Sequence, residues 1–266
     1  MCRWFIYCGQ EMLLENILYK SNHSIIKQSY LKKYTPFLEE LNNRDHEVNV
    51  DGFGIGWYIE NQKKPCYYTS IKTPWSDFNF RRLSKILKSK LIFTHIRAIK
   101  PFSTGLIHEF NCHPFNFDNL LFMHNGDFKN FKNYLKIIIN KIDSDIFSHL
   151  SGNTDSEYIF LLIISFLKNK EKNIENIKIA IRQVIKYINE ITTDIFSFNI
   201  AITDGNFIIF TRYISNDEKP PSLYYKFFDK HICISSEPIN DDDDWIYIPK
   251  NIIGYYNNKE IYIEKI

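Results

Sequence analysis

The sequence predicts an α+β fold in which two antiparallel sheets lie face to face with helices on the outside. Strand-like runs fill the first half and the last third of the chain, and two long helical patterns separate them. The first pattern, Ile159 to Leu167, is apolar almost all round and belongs in the interior; the next carries Ile174, Ile177, Ile181, Val184, Ile185, Ile188 and Ile191 on one face. Strands grouped apart from helices, rather than alternating with them, favour antiparallel sheets over a parallel one. With 266 residues, 44% of them hydrophobic, the chain can bury this core as a single domain over 2–266.

Taken in order, Arg3 to Cys8 reads as a buried strand, Gln10 to Leu18 as mixed, and Ser24 to Ser29 as a loop in polar surroundings. Asp51-Gly52-Phe53-Gly54-Ile55-Gly56-Trp57-Tyr58 is a strand with alternating glycines. A turn follows it instead of the helix a dinucleotide fingerprint requires, so the glycines predict close approach of another backbone or a ligand. Leu91 to Ala98 is a strand with Arg97 near its end, broken by Lys100 to Gly105. Asn119 to Met123 is a strand that stops at His124-Asn125-Gly126-Asp127, before a helix reaching about Lys141. Asn153-Thr154-Asp155-Ser156-Glu157 opens the buried helix. Strands then cover Ser197 to Thr203, Phe207 to Tyr213, His231 to Ser235, Trp245 to Ile248 and Glu260 to Ile263, and the acidic run Asp241 to Asp244 reads as a solvated loop.

Composition excludes several classes. A net charge of +2 gives no field for nucleic acid, and no stretch approaches the ~18 successive apolar residues of a membrane span. The first residues lack a signal-peptide cleavage site, so the expectation is a soluble, cytoplasmic protein. Five scattered cysteines form neither a disulfide framework nor a zinc pattern and fit a reducing compartment. His95, His108, Glu109, His113 and His124 cluster with Cys112, but at a spacing unlike helical zinc motifs. They read as structural, with His124 orienting the loop beside it; no metal or cofactor is expected.

The chemistry concentrates elsewhere. Removal of Met1 would leave a thiol and a free α-amine on Cys2, and an α-amine titrating near ~8 can take the thiol's proton at neutral pH. Against an amide substrate, Asn125 and the Gly126 N–H could stabilise the oxyanion; Arg97 could hold a carboxylate through two parallel hydrogen bonds, and Asp155 an ammonium. Carboxylate plus ammonium describes an amino-acid head group.

Met1-Cys2-Arg3, Asp51 to Gly56, His95-Ile96-Arg97-Ala98, Asn111 to Phe115, Phe122 to Gly126, Thr154-Asp155-Ser156-Glu157 and Ile234-Ser235-Ser236-Glu237-Pro238 resemble the ordered motifs of class II glutamine amidotransferases. The resemblance spans nearly the whole chain. It implies an N-terminal-nucleophile (Ntn) hydrolase with a four-layer αββα sandwich that cleaves a γ-glutamyl amide through a thioester. By resemblance Cys2 is the nucleophile, Asn125 and Gly126 form the oxyanion hole, and Arg97 and Asp155 bind the α-carboxylate and α-amine. Met-Cys-Arg, the segment His23 to Ser29 and the Ser-Glu-Pro element are most similar to amidotransferase subunits of the fungal glutathione-degrading complex, which implies a γ-glutamyl peptide substrate and a metallopeptidase-like partner. After Arg97 this chain has Ala98-Ile99-Lys100 where synthase-type members carry Trp-Ala-Thr, so their further glutamine contacts do not transfer. Glu237 is left without a role.

Overall fold

The computed structural model describes residues 2–31, 49–99 and 106–266. Met1 and the break expected at Lys100 to Gly105 lie outside them. One sheet has seven strands in the order β11-β9-β10-β1-β4-β2-β3. They are β1 (Arg3–Leu13), β2 (Phe53–Trp57), β3 (Cys66–Ser70), β4 (Lys88–Ile96), β9 (Tyr224–Phe228), β10 (His231–Ser235) and β11 (Ile246–Tyr247). The other has six in the order β13-β12-β8-β7-β6-β5. These are β5 (Phe115–Phe117), β6 (Leu120–Phe128), β7 (Phe196–Thr203), β8 (Ile208–Ile214), β12 (Ile252–Asn257) and β13 (Glu260–Lys265). Every pairing is antiparallel.

From Trp4 to Tyr7, β1 reads as an unbroken apolar run because both of its faces are buried there. Trp4 and Ile6 point into the layer between the sheets, where they meet Phe93, Leu121, Met123, Ala201, Phe210 and Ile234. Phe5 and Tyr7 point the other way, onto a cluster with Ile25, Ile26 and Phe80 from the short helices α1 (Ile25–Gln28) and α2 (Phe78–Leu83). Successive side chains of a strand face opposite ways, so one sequence run feeds two cores. On the far side, α3 (Phe131–Lys141), α4 (Ser144–Phe147), α5 (Asp155–Phe166) and α6 (Ile174–Ile191) cover the second sheet through Ile159, Leu162, Ile181, Ile185, Phe198 and Ile200. Helix α5 is apolar all round because it is enclosed between the sheet and α6; α6 buries one stripe. Three apolar layers between four structural ones give the αββα sandwich.

Two expectations change. Ser24 to Ser29 is a helix, not a loop: the Ser24 hydroxyl caps α1 by accepting the Lys27 N–H. Strand β6 does not stop at His124 but runs through Asn125 and Gly126 to Phe128, because β7 pairs with it that far. The acidic run is exposed, yet Asp242 and Asp244 hold the ammonium of Lys226, itself only 6% exposed. The last strands divide between both sheets, with β10 beside β1 and β12 beside β8. Glycines behave as predicted: a Cβ on Gly54 would lie 2.2 Å from the His113 carbonyl, and Gly52 at φ +106° abuts the Cys112 sulfur.

Candidate active site

Cys2 immediately precedes β1, and the β1–β4 register pairs Arg3 with Ile96, so one step further Cys2 stands opposite Arg97. The Cys2 sulfur lies 3.3 Å from the Ala98 nitrogen, whose N–H it accepts, and 3.5 Å from the Ala98 oxygen. Arg97 is buried; its backbone N–H extends the ladder onto the Gly52 carbonyl, and its Nη1 donates to the Leu106 carbonyl at 2.9 Å. Asp51 supports the same turn by accepting the Ile99 N–H at 2.7 Å.

The second sheet supplies Asn125 and Gly126. Asn125 is 1% exposed, points into the space between the sheets with Leu121 and Met123, and finds no hydrogen-bond partner for either end of its amide. Nearly all buried polar groups in proteins are paired, so the Asn125 amide is an exception, and it stands in the inter-sheet layer that Cys2 and Arg97 face from the other sheet. Gly126 has no room for a side chain: a Cβ would come within 1.8 Å of the Ser197 oxygen. Its backbone direction follows from its neighbours. The Asp127 N–H turns toward β7, onto Ser197 Oγ, while the Phe128 N–H turns away from β7, onto Asp155 Oδ2. Since directions alternate along a strand, the Gly126 N–H projects on the Phe128 side, where β5 no longer pairs with β6.

A hydrogen bond from His95 Nε2 to the His124 carbonyl at 3.0 Å joins the two sheets at this level. His95 stacks on His113, centroids 4.2 Å apart. Burial, aided by the nearby charge of Arg97, holds His95 down at about 3, and burial keeps His113 well below its ordinary range. Both are neutral rings that pack. His124 points to the helical side, where Nε2–H donates to the Ser197 carbonyl and Nδ1 accepts from Ser156 Oγ at 2.8 Å. It therefore fastens α5 to β6. Asp155, at the first turn of α5, accepts the N–H groups of Ser156 and Phe128. Burial raises its carboxyl and lowers His124, each opposing the shift of the other. Burial also pushes the Cys8 and Cys112 thiols up to about 11, in keeping with small buried hydrophobes.

The description "Glutamine amidotransferases class-II" matches residues 31–218. The chain belongs to the class II glutamine amidotransferases. The match takes in Arg97, Asn125, Gly126 and Asp155 and begins after Cys2. A Saccharomyces cerevisiae relative named "Probable glutamine amidotransferase DUG3" is 29% identical over all of this chain and 84% of its own length. A solved glutamine aminotransferase class-II domain protein from Silicibacter pomeroyi superposes with a TM-score of 0.70 at 24% identity, covering 99% of both chains. Glutamine phosphoribosylpyrophosphate amidotransferase from B. subtilis, complexed with ADP and GMP, superposes at 0.63 with 16% identity, over 99% of this chain and 49% of its own. The fold is thus that of the Ntn-hydrolase amidotransferases. Among the described residues no helix is long and apolar enough to cross a membrane.

Sequence reasoning missed the polar groups that tie the loops beside these residues. Asn111 ties two loops together, donating to the Leu106 carbonyl and Asn153 Oδ1 and accepting the Asn153 N–H. Glu157 ties the loop before α5 by accepting the Ser151 and Gly152 N–H groups. Both lie in motif blocks, but nothing in sequence spacing says that residues 111 and 153 meet. Glu237, unassigned from sequence, is fully buried against Arg3.

Proposed function

We propose that this amidotransferase hydrolyses the γ-glutamyl amide bond of glutamine or of a γ-glutamyl peptide such as glutathione, through a thioester on Cys2 exposed by loss of Met1. The observation that carries the reading is the buried Asn125 amide with no protein partner, in the layer that Cys2 and Arg97 face from the other sheet. In the first half-reaction the terminal amine takes the Cys2 proton and the thiolate attacks the γ-carbonyl carbon. Asn125 Nδ2 and the Gly126 N–H hold the oxyanion, and the protonated amine passes its proton to the departing nitrogen as the C–N bond breaks. Water activated by the same amine then cleaves the thioester, giving glutamate and restoring the thiol. Arg97 holds the substrate α-carboxylate, exchanging its bond to the Leu106 carbonyl for a bidentate one, and Asp155 the α-amine.

The similarity of Met-Cys-Arg, His23 to Ser29 and Ser-Glu-Pro to glutathione-degrading subunits supports a γ-glutamyl peptide substrate, a metallopeptidase-like partner and a cytoplasmic setting. The test is intact mass and peptide mapping after exposure to 6-diazo-5-oxo-norleucine, which alkylates a nucleophile poised on a bound glutamyl head. Loss of Met1 and a single adduct on Cys2 are expected, with no adduct and no turnover in Cys2→Ala. An active Cys2→Ala protein refutes the mechanism; a retained Met1 without adduct refutes the enzyme reading.

A further inference from the structure

Three sequence elements without a role in the reaction converge on one buried group. Glu237 is 0% exposed and Arg3 1%. Arg3 Nε donates to Glu237 Oε1 at 2.7 Å, while Arg3 Nη1 donates to the backbone carbonyl of Cys2 at 2.9 Å. His23 Nε2 donates to the second carboxylate oxygen at 2.9 Å. Gln28, from α1, donates to the His23 and Glu237 carbonyls and so locks the two segments that present the acid and the imidazole. Beside them the Trp4 N–H donates to Ser236 Oγ and the Ser236 N–H to the Trp4 carbonyl, continuing the β1–β10 ladder past its last paired strand residue.

The geometry points to a positioning device: resting on the reading of Cys2 as nucleophile, we propose that Glu237, held by His23, aims the Arg3 guanidinium at the Cys2 carbonyl and thereby fixes the N-terminal residue for attack. The physical need is plain. A nucleophile at a chain end is held by the backbone on one side only, and ends fray unless tied. The side-chain bond Cys2 makes to Ala98 fixes the sulfur; the planar guanidinium fixes the carbonyl on the opposite side of the α-carbon. Between them the amine and thiol are left in one orientation. An arginine suits this because its fork serves the carboxylate and the carbonyl at once, at fixed angles, which a lysine ammonium does not. Burial keeps water from competing for the bond to Glu237. The acid lies on the loop after β10, which pairs with β1, and the imidazole lies before α1, whose Ile25 and Ile26 pack on the outer face of β1, so the terminus is referenced to one neighbouring strand and to the helix over it.

The test measures the alkylation rate of Cys2 by 6-diazo-5-oxo-norleucine, kcat and KM for glutamine, and the alkylation rate by iodoacetamide with peptide mapping. Arg3→Lys retains the charge and loses the fork. Because Glu237→Gln leaves a buried cation uncompensated and could prevent folding, the second variant is the paired Arg3→Met, Glu237→Leu, which removes both charges with little change in volume. With Met1 removal and folding verified by mass and circular dichroism, the expected result is a fall in kcat and in analogue alkylation of about 100-fold, the scale of a displaced reacting group. KM and the iodoacetamide rate, which need no alignment, stay within about twofold on the same ground. Folded variants with wild-type kcat and analogue alkylation overturn the proposal, as does a rise in KM with kcat unchanged. If the wild-type protein itself takes no adduct, it is the Cys2 reading that fails.

Discussion

Replacing Asn125 by leucine should make the protein more stable and nearly inactive. Both amide atoms of Asn125 are buried without a protein partner. A buried polar group left unpaired costs about 1–3 kcal/mol, and Asn125→Leu removes it at similar volume on a face already lined by Leu121 and Met123. For a chain of this size each kcal/mol is worth roughly 2–4 °C, so the melting temperature should rise by about 5 °C. Loss of one oxyanion donor lowers kcat by about 10²–10³. Asn199 is the internal control: it stands directly opposite Asn125 on β7, with its side chain on the same face, but its Nδ2 donates to the Pro221 carbonyl at 2.8 Å. Asn199→Leu breaks that bond, leaves the Pro221 carbonyl with the Arg212 Nε–H alone and should lower the melting temperature. Scanning calorimetry and a glutamate-release assay on both variants decide the matter. An Asn125→Leu protein that melts lower than wild type and keeps its turnover refutes the reasoning, because Asn125 would then be a structural residue.

Stability should fall on acidification from neutral pH through the buried histidines. His95 is held at about 3 when folded and titrates near its ordinary 6.5 when unfolded, so stability is complete above 6.5 and is lost as pH falls toward 3. At pH 5 this one ring costs about 2 kcal/mol, and the unfolding free energies from urea titrations at pH 7 and 5 should differ less in His95→Gln by that amount. Gly126→Ala should lose about 3 kcal/mol or fail to fold, because the new methyl meets the backbone oxygen of Ser197, and thermal melts that match wild type would disprove that crowding. Arg97→Lys should raise KM with a smaller change in kcat, since charge survives and the bidentate grip does not; unchanged KM removes Arg97 from head-group binding.

Much of this fold is legible in the sequence, for identifiable reasons. His231 to Ser235 was read as a strand at its observed bounds, since it is short, apolar and β-branched between turn signals. Strands β9 and β12 were missed: Lys226 interrupts the apolar pattern of β9, and its charge is answered only by the distant Asp242 and Asp244, while Gly254 interrupts β12 to make room for the Phe210 ring. Helix α1 was missed because its one turn is held by a serine cap and by tertiary bonds from Gln28, neither of which has a periodicity. In the candidate site, the types of Cys2, Arg97, Asn125 and Asp155 are what suggests the proposed chemistry, whereas the partnership of Arg3 with Glu237 spans 234 positions and has no local signal.

The same register explains why the site lies where it does. Along β1, inward positions run from Ile6 to Trp4 to Cys2; along β4, from Phe93 to His95 to Arg97; along β6, from Leu121 to Met123 to Asn125; along β7, from Ala201 to Asn199. Each strand changes from apolar to polar in the direction that its antiparallel pairing turns toward the same end of the sandwich, with Trp4 opposite His95 and Asn125 opposite Asn199. The layer that holds Cys2, Arg97 and Asn125 is therefore continuous with the inter-sheet core and shares its rigidity. A one-residue slip of β6 would send Asn125 to the helical face and bring Gly126 inward, so the crowding of Gly126 against Ser197 and the fastening of His124 to Ser156 hold the amide on the side that Cys2 faces.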